Sequence, residues 1–450
     1  MTAIHTIAEA SLALRQKRLT VVELLEQCLN RIDIWEDSIG AWVYLDREHA
    51  RHQAQQKDME LKDGYCRGPL HGIPLGIKDI IDVQSIPTRA GSRVFPERPV
   101  SEITDAAVIE RLRHAGAILL GKSVTTEFAC FDPPKTRNPW NVGHTPGGSS
   151  SGSAAAVATG MCLGALGTQT GGSITRPASF CGVSSIKPTY GRVSVRGVVP
   201  VSFSLDHVGP MAKTVMDAAT LLSVISGYDP IDPYNRPLPD LPLEFTPLSG
   251  EIRPRLGYLR GYFHDNSSST MQKSMETMIT RLQQAGAEIR DISLPASFQD
   301  VHTMHRRVML SEMLSYHQQF FPARELDYQP GIRSLLQEAS TFSALDYADA
   351  NRHRKFFTRD MRTLIKSVDA ILTPATASSA PDYSTTGSPD YQSPWSYSGL
   401  PTVSFPIDIS SAGLPLAVQL VGSSSQETEL IQLALWCEKQ IEFSASPSSS

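Results

Sequence analysis

The sequence predicts an α/β protein, a sheet of buried strands interleaved with helices, and three observations lead there. Helical stretches run into apolar, strand-like ones at "RLRHAGAILLGK" (111–122) and "SAAAVATGMCLGALGTQT" (153–170). Further strand-like runs stand at "GIPLGIKDIIDV" (72–83) and, towards the C-terminus, at "AILTPAT", "TVSFPI" and "LAVQLVG". A chain of 450 residues is long enough for one large α/β body carrying an inserted subdomain.

Taken in order, the chain opens with helices over 1–60. Thr20 and Glu23 in "TVVELLEQCLNRID" fit a capping box, and Val22, Leu25, Cys28 and Ile32 fall on roughly one face of the helix that follows. A core over 61–225 holds the first buried strands and a helix of small residues from 153, whose Ala and Gly allow close packing. Gly160 and Gly164 within it form G-x-x-x-G, most simply a tight helix contact in a chain without a membrane span. Between 225 and 345 the chain changes character: "RPRLGYL" and "AEIRDISLP" are strand-like, "STMQKSMETMITRLQQAG" is helical, and longer polar helices follow. This stretch is expected to be a peripheral insertion. Residues 346–440 return to core-like strands and a final helix near 426–440, and 441–450, ending "SASPSSS", is expected to be a disordered tail.

Bulk properties narrow the function classes. A formal charge of −5 and a pI near 6.2 give no basic footprint for nucleic acid, so small-molecule chemistry is favoured. The six cysteines are scattered without CxxC or zinc spacing, which suits reduced structural thiols. The N-terminus lacks the charged start and apolar run of a signal peptide, and the most apolar stretch, 154–167, is too short and glycine-broken to span a membrane. The expected location is cytoplasmic.

Two glycine-flanked serine clusters, "GGSSSGS" (147–153) and "GGSITRP" (171–177), raise the question of chemistry. No Lys-Ser/Thr pair follows the first, so it is not a P-loop. Gly148-Ser149-Ser150-Ser151-Gly152 satisfies the G-x-S-x-G nucleophile elbow and would make Ser150 a nucleophile, but the preceding "KTRNPWNVGHTP" reads as loop where an elbow needs a strand. His302 and His305 give H-x-x-H without a third ligand, so satisfied histidines stand against a metal pair, and no metal is expected. Serine chemistry without histidine needs another base. Lys78 lies within the apolar "LGIKDII", where burial would lower its pKa and make it basic at neutral pH. The alternative for Lys78 is an ion pair with Asp79 or Asp82 at a strand end.

Together "GIPLGIKDIID", "TRNPWNVGHTPGGSSSGSAAAVATG" and "LGTQTGGSITRPASFCGV" resemble the amidase signature family. The resemblance continues through "IKPTYGRVS", "DHVGPMAKTVMDAA", "ILTPAT" and "GLPLAVQLVG", over most of the chain. It implies a single domain over 1–450 with a central mixed, twisted sheet covered by helices on both faces. It also implies a Ser-cisSer-Lys triad: Ser173 as nucleophile, Ser149 as the bridging serine on a cis peptide, and Lys78 as base. The 24-residue separation of the two serines is the family's. Backbone N–H groups of Thr170, Gly171, Gly172 and Ser173 would form the oxyanion hole, and no cofactor is implied.

The chain departs from many members in carrying Gln169 where they have Asp, and Thr175 where they have Arg; its arginine is Arg176. In this it is similar to malonamidase-type small bacterial amidases, whose equivalent arginine holds a substrate carboxylate. The expected function is hydrolysis of a small polar or carboxylate-bearing primary amide; pairing of Arg176 with an internal acid is the alternative for that residue. A glutamine-hydrolysing subunit of an amidotransferase and a catalytically silent binding protein are the other two functions considered. Expected partners are a small-molecule amide but neither nucleic acid nor membrane, with a homodimer left open. Walls of the pocket are expected from the insertion and from "DYQSPWSYSGLP", with no choice made among Trp395, Tyr397 and their neighbours.

Overall fold

The computed structural model describes residues 4–249 and 252–448. Residues 1–3 of the expected helical opening and 449–450 of the expected tail lie outside the described residues, while 442–448 carry no helix or strand. The first helices follow local signals. Thr6 with Glu9 and Thr20 with Glu23 each form a capping box, starting helices Ile7–Arg15 and Val21–Ile39. The second helix buries Val21, Leu25, Cys28 and Ile32; Val22, expected on that face, is only partly covered, because the apolar stripe begins one residue earlier.

Eleven strands make one sheet: β1 (Trp42–Leu45), β2 (Pro74–Lys78), β3 (Ile118–Ser123), β4 (Gly164–Gln169), β5 (Ser184–Lys187), β6 (His207–Ala212), β7 (Arg255–Tyr258), β8 (Glu288–Asp291), β9 (Ala370–Pro374), β10 (Thr402–Ile409) and β11 (Pro415–Val421). Their order is β1-β3-β2-β4-β6-β5-β10-β11-β9-β7-β8. β3, β2 and β4 run parallel, β6, β5, β10, β11 and β9 pair antiparallel in succession from β4, and β9, β7 and β8 are parallel again, so the sheet is mixed. Every residue of β2, β3, β4, β5 and β6 is buried, as expected for strands covered on both faces.

The stretch 225–345 does not build a sheet of its own. Its β7 and β8 extend the same sheet at one edge, where β8 is largely exposed, and its helices Val301–His317 and Pro330–Ala339 pack on each other. The Gly160/Gly164 pair is not a helix contact either. Gly160, at φ 74°, caps the helix Ser151–Thr159, and Gly164 is the first residue of β4, where a Cβ would meet the Leu221 side chain at 2.6 Å. Among the described residues no helix is long and apolar enough to cross a membrane. The six cysteines are free, and only Cys66 is exposed.

The helix Ser151–Thr159 is buried at all nine positions. Its Gly152 donates its N–H to the Val124 carbonyl at 3.0 Å, and a Cβ there would land on the Ala41 carbonyl oxygen and the Val124 amide. Both obstacles are backbone, so Gly152→Ala should destabilise the protein by about 1–3 kcal/mol or more. A urea midpoint equal to that of the wild type would show that the helix can move away from the β3 terminus.

Candidate active site

Lys78 is the last residue of β2, aligned with Ser123 of β3 and one residue beyond the Ile77–Leu166 pairing with β4. This register leaves its side chain fully buried. The nearby carboxylates are engaged elsewhere: Asp79 pairs with Lys122 at 3.0 Å, and Asp82 with Arg98. The ion pair considered for Lys78 is therefore not formed. Its Nζ instead lies 2.7 Å from Ser149 Oγ and 2.7 Å from Thr168 Oγ1. Burial pulls the Lys78 ammonium down to about 7; the Asp206 carboxylate opposes the shift and Arg176 reinforces it. Such an amine can accept a proton near neutral pH.

The first serine cluster is arranged around that amine. The Gly148–Ser149 peptide bond is cis. Ser151 Oγ donates to the Gly147 carbonyl at 2.7 Å, and Ser150 Oγ donates to the Ser173 carbonyl at 2.6 Å. The hydroxyl of the elbow candidate Ser150 is thus fully buried and spent on joining the two clusters. Ser149 and Ser173, by contrast, both line a cavity of about 230 Å³.

The second cluster follows β4 as a turn whose carbonyls are held from behind. His305 Nε2 lies 3.0 Å from the Thr170 carbonyl, and burial pulls this imidazole down to about 4, so it is neutral and donates there. Ser396 Oγ donates to the Gly171 carbonyl at 2.7 Å and accepts from Gln169 Nε2 at 3.0 Å. Gln169 Oε1 accepts from the Ile174 and Thr175 amides, each at 3.0 Å, at the start of helix Thr175–Cys181. Among the described residues none accepts from the amides of Thr170, Gly171, Gly172 or Ser173, all four of which line the cavity. Free N–H groups on a fixed turn can stabilise an oxyanion.

Arg176 reaches the same cavity from the first turn of that helix. Its Nη2 donates to the Gly148 carbonyl at 2.8 Å, whereas Nε and Nη1 are buried without a partner. Burial pulls the guanidinium down to about 10, and the more distant Asp390 carboxylate opposes the shift. Among the described residues no carboxylate pairs with Arg176, so the internal-acid alternative is not formed. Asp390 lies at the rim, 3.8 Å from His302.

Comparison with known proteins gives the family. A family model described as Amidase matches residues 23–431. The chain belongs to the amidase family. Among the amidases and their relatives, the A subunits of glutamyl-tRNA(Gln) amidotransferase from Chloroflexus aurantiacus and Cereibacter sphaeroides are each 36% identical to it, covering 96% and 98% of both chains respectively. The solved peptide amidase of Stenotrophomonas maltophilia is 30% identical and superposes with a TM-score of 0.87 over 99% of both chains. A structure described simply as an amidase is 31% identical, with a TM-score of 0.87 over 97% of this chain and all of that one. The mixed sheet flanked by helices is thus the amidase fold.

Sequence reasoning missed several members of this amidase's cavity wall. From "DYQSPWSYSGLP" the wall takes Asp390 and Ser393, whereas Trp395 is fully buried against Phe263 and Tyr397 donates its hydroxyl inward to the Ala350 carbonyl. His302 and His305 line the cavity, His302 through a 3.1 Å contact between Nδ1 and Ser393 Oγ. Their spacing suggested a metal pair or satisfied residues, but nothing local indicated that one would hold a carbonyl 135 residues away. Thr168, the second partner of Lys78, stood unnoticed within "GTQTGG".

A buried amine without a carboxylate costs stability, and its aliphatic stem does not. Lys78→Met is therefore expected to leave the urea midpoint at or above the wild-type value; a loss of more than about 2 kcal/mol would mean that the amine holds the fold together.

Proposed function

We propose that this amidase hydrolyses the C–N bond of a small polar or carboxylate-bearing primary amide through an ester on Ser173, releasing ammonia and then the acid. The observation that carries the reading is the carboxylate-free Lys78 amine, 2.7 Å from Ser149 Oγ, behind a cavity that Ser173 also lines. Neutral Lys78 takes a proton from Ser149, which takes one from Ser173 as Ser173 Oγ attacks the amide carbonyl. The amides of Thr170, Gly171, Gly172 and Ser173 receive the oxyanion. Lys78 then returns the proton through Ser149 to the leaving nitrogen, and ammonia departs. Water attacks the acyl ester by the same relay, and Ser173 is restored.

The substrate class rests on the walls. A cavity of about 230 Å³ is smaller than the roughly 300–1,000 Å³ of sites for drug-sized ligands, which favours a short acyl group. Arg176 is among its lining residues and has two buried nitrogens without a partner, and a guanidinium fork matches a carboxylate.

A second reading is favoured by the amidotransferase A subunits, similar over nearly the whole length. In it glutamine is the amide, its α-carboxylate on Arg176 and its α-ammonium near Asp390, and the ammonia passes to a partner. Ammonia release by the purified chain separates the two: rapid turnover of malonamate with little from glutamine supports the first, and turnover of glutamine that needs a copurifying partner supports the second.

Ser173→Ala is expected to reduce ammonia release by at least about 10³-fold. For the wild type, kcat/KM should fall about tenfold per pH unit below pH 7 and level off above it, because protonated Lys78 cannot accept the Ser149 proton. A profile flat from pH 5 to 8, with chemistry limiting, would remove Lys78 as the base.

Arg176→Leu should raise KM for malonamate at least about tenfold. Because Arg176 also holds the Gly148 carbonyl, propionamide serves as the control. An equal loss on both amides would mean that the arginine only supports the loop.

A further inference from the structure

On the far side of the helix Ser393–Ser398 lies a second cleft, of about 520 Å³, that the proposed amide chemistry does not use. Six cations line it, Arg236, Arg354, Lys355, Arg359, Arg362 and Lys366, and no acidic residue does. Four of them form a single stripe. Lys355, Arg359, Arg362 and Lys366 follow one another at steps of four, three and four residues along and just past the helix Ala344–Ile365, which puts them on one face. Arg354, partly buried, is fixed by hydrogen bonds to the Ser204 carbonyl and hydroxyl at 3.2 and 2.7 Å, and Arg236 comes from a separate segment.

This arrangement costs the helix stability, because like charges three and four residues apart repel. The helix dipole favours cations in the last turn, which accounts for Arg362 and Lys366 but not for Lys355 and Arg359. Local pairing does not compensate either. Arg359 is paired with Asp360, but among the described residues the other five have no carboxylate partner, although many exposed arginines elsewhere in the chain do. Cations converging from separate segments on one concavity whose lining includes no acid form a site for clustered negative charge.

We infer that this cleft binds a small ligand carrying two or more linked phosphate groups. The cations are gathered in one bounded cleft, and the chain as a whole carries a formal charge of −5, so a compact polyanion is favoured over the long backbone of a nucleic acid. The cleft also touches the other site. Ser396 lines it and donates its hydroxyl to the Gly171 carbonyl, so a bound ligand sits one side chain away from the turn that carries Ser173.

The test is calorimetric titration of the full chain with inorganic tripolyphosphate, and it is independent of amide hydrolysis because the Ser173→Ala variant serves equally well. Saturable binding is expected at low salt, weakening as sodium chloride is added. The double variant Lys355→Gln/Arg362→Gln, altered only at exposed positions, should weaken it at least about tenfold. A rise in the wild-type melting temperature with tripolyphosphate provides a second measurement that does not depend on the variant. No binding heat and no thermal shift at millimolar tripolyphosphate would overturn the inference, as would equal affinity in the double variant. Tighter binding of a short single-stranded RNA than of tripolyphosphate would overturn it in favour of a nucleic-acid surface.

Discussion

Lys78 runs its full length inside the sheet and finds no carboxylate there, and the arrangement around it depends on that condition. A buried ammonium is costly unless paired, so an unpaired one shifts towards its neutral form. The same sheet contains the opposite solution 44 residues later: Lys122, equally buried, keeps Asp79 at 3.0 Å and Thr88 Oγ1 at 2.9 Å. By taking Asp79, Lys122 leaves Lys78, the residue just before that aspartate, with two hydroxyls and nothing anionic in contact. Parallel pairing of β2 with β3 brings the two lysines into adjacent strands, and burial of every residue in both keeps water away.

The second requirement is a turn that does not move. Between β4 and the helix Thr175–Cys181 the turn lines the cavity, and its Thr170 and Gly171 carbonyls are tied to His305 and Ser396. Those two side chains come from helices Val301–His317 and Ser393–Ser398, far apart in the sequence. Gln169 links the set, because its amide both donates to Ser396 and accepts from the start of the helix. An aspartate at that position could accept but, when ionised, could not donate to Ser396. The departure at Gln169 is therefore matched by Ser396 of the helix Ser393–Ser398, and the chain of hydrogen bonds polarises the turn cooperatively.

The helix Ser393–Ser398 divides two concavities of different character. One face contributes Ser393 to a small cavity with one unpaired guanidinium, and the other borders a larger cleft with six cations. Ser396, itself buried, is among the lining residues of the second and reaches the turn of the first by its hydrogen bond. Any change in how this short helix is held is thus felt at the Gly171 carbonyl.

The sequence by itself determined what is local or repeated in residue type. Capping boxes, glycine stops and apolar runs gave helices and strands close to their observed bounds, and the glycine-flanked serines with Lys78 marked the cavity that the structure brings together. Composition also indicated that Ser150 lacked the strand an elbow needs, although only the fold revealed what its hydroxyl does. Tertiary structure decided everything that depends on pairing between distant segments. It decided which lysine takes Asp79, that Arg176 takes no acid, that β7 and β8 join the central sheet, and that His305 holds the Thr170 carbonyl. The physical reason is that a side chain's partner is set by strand order and helix docking, and those follow from the burial of the whole chain rather than from any window of residues.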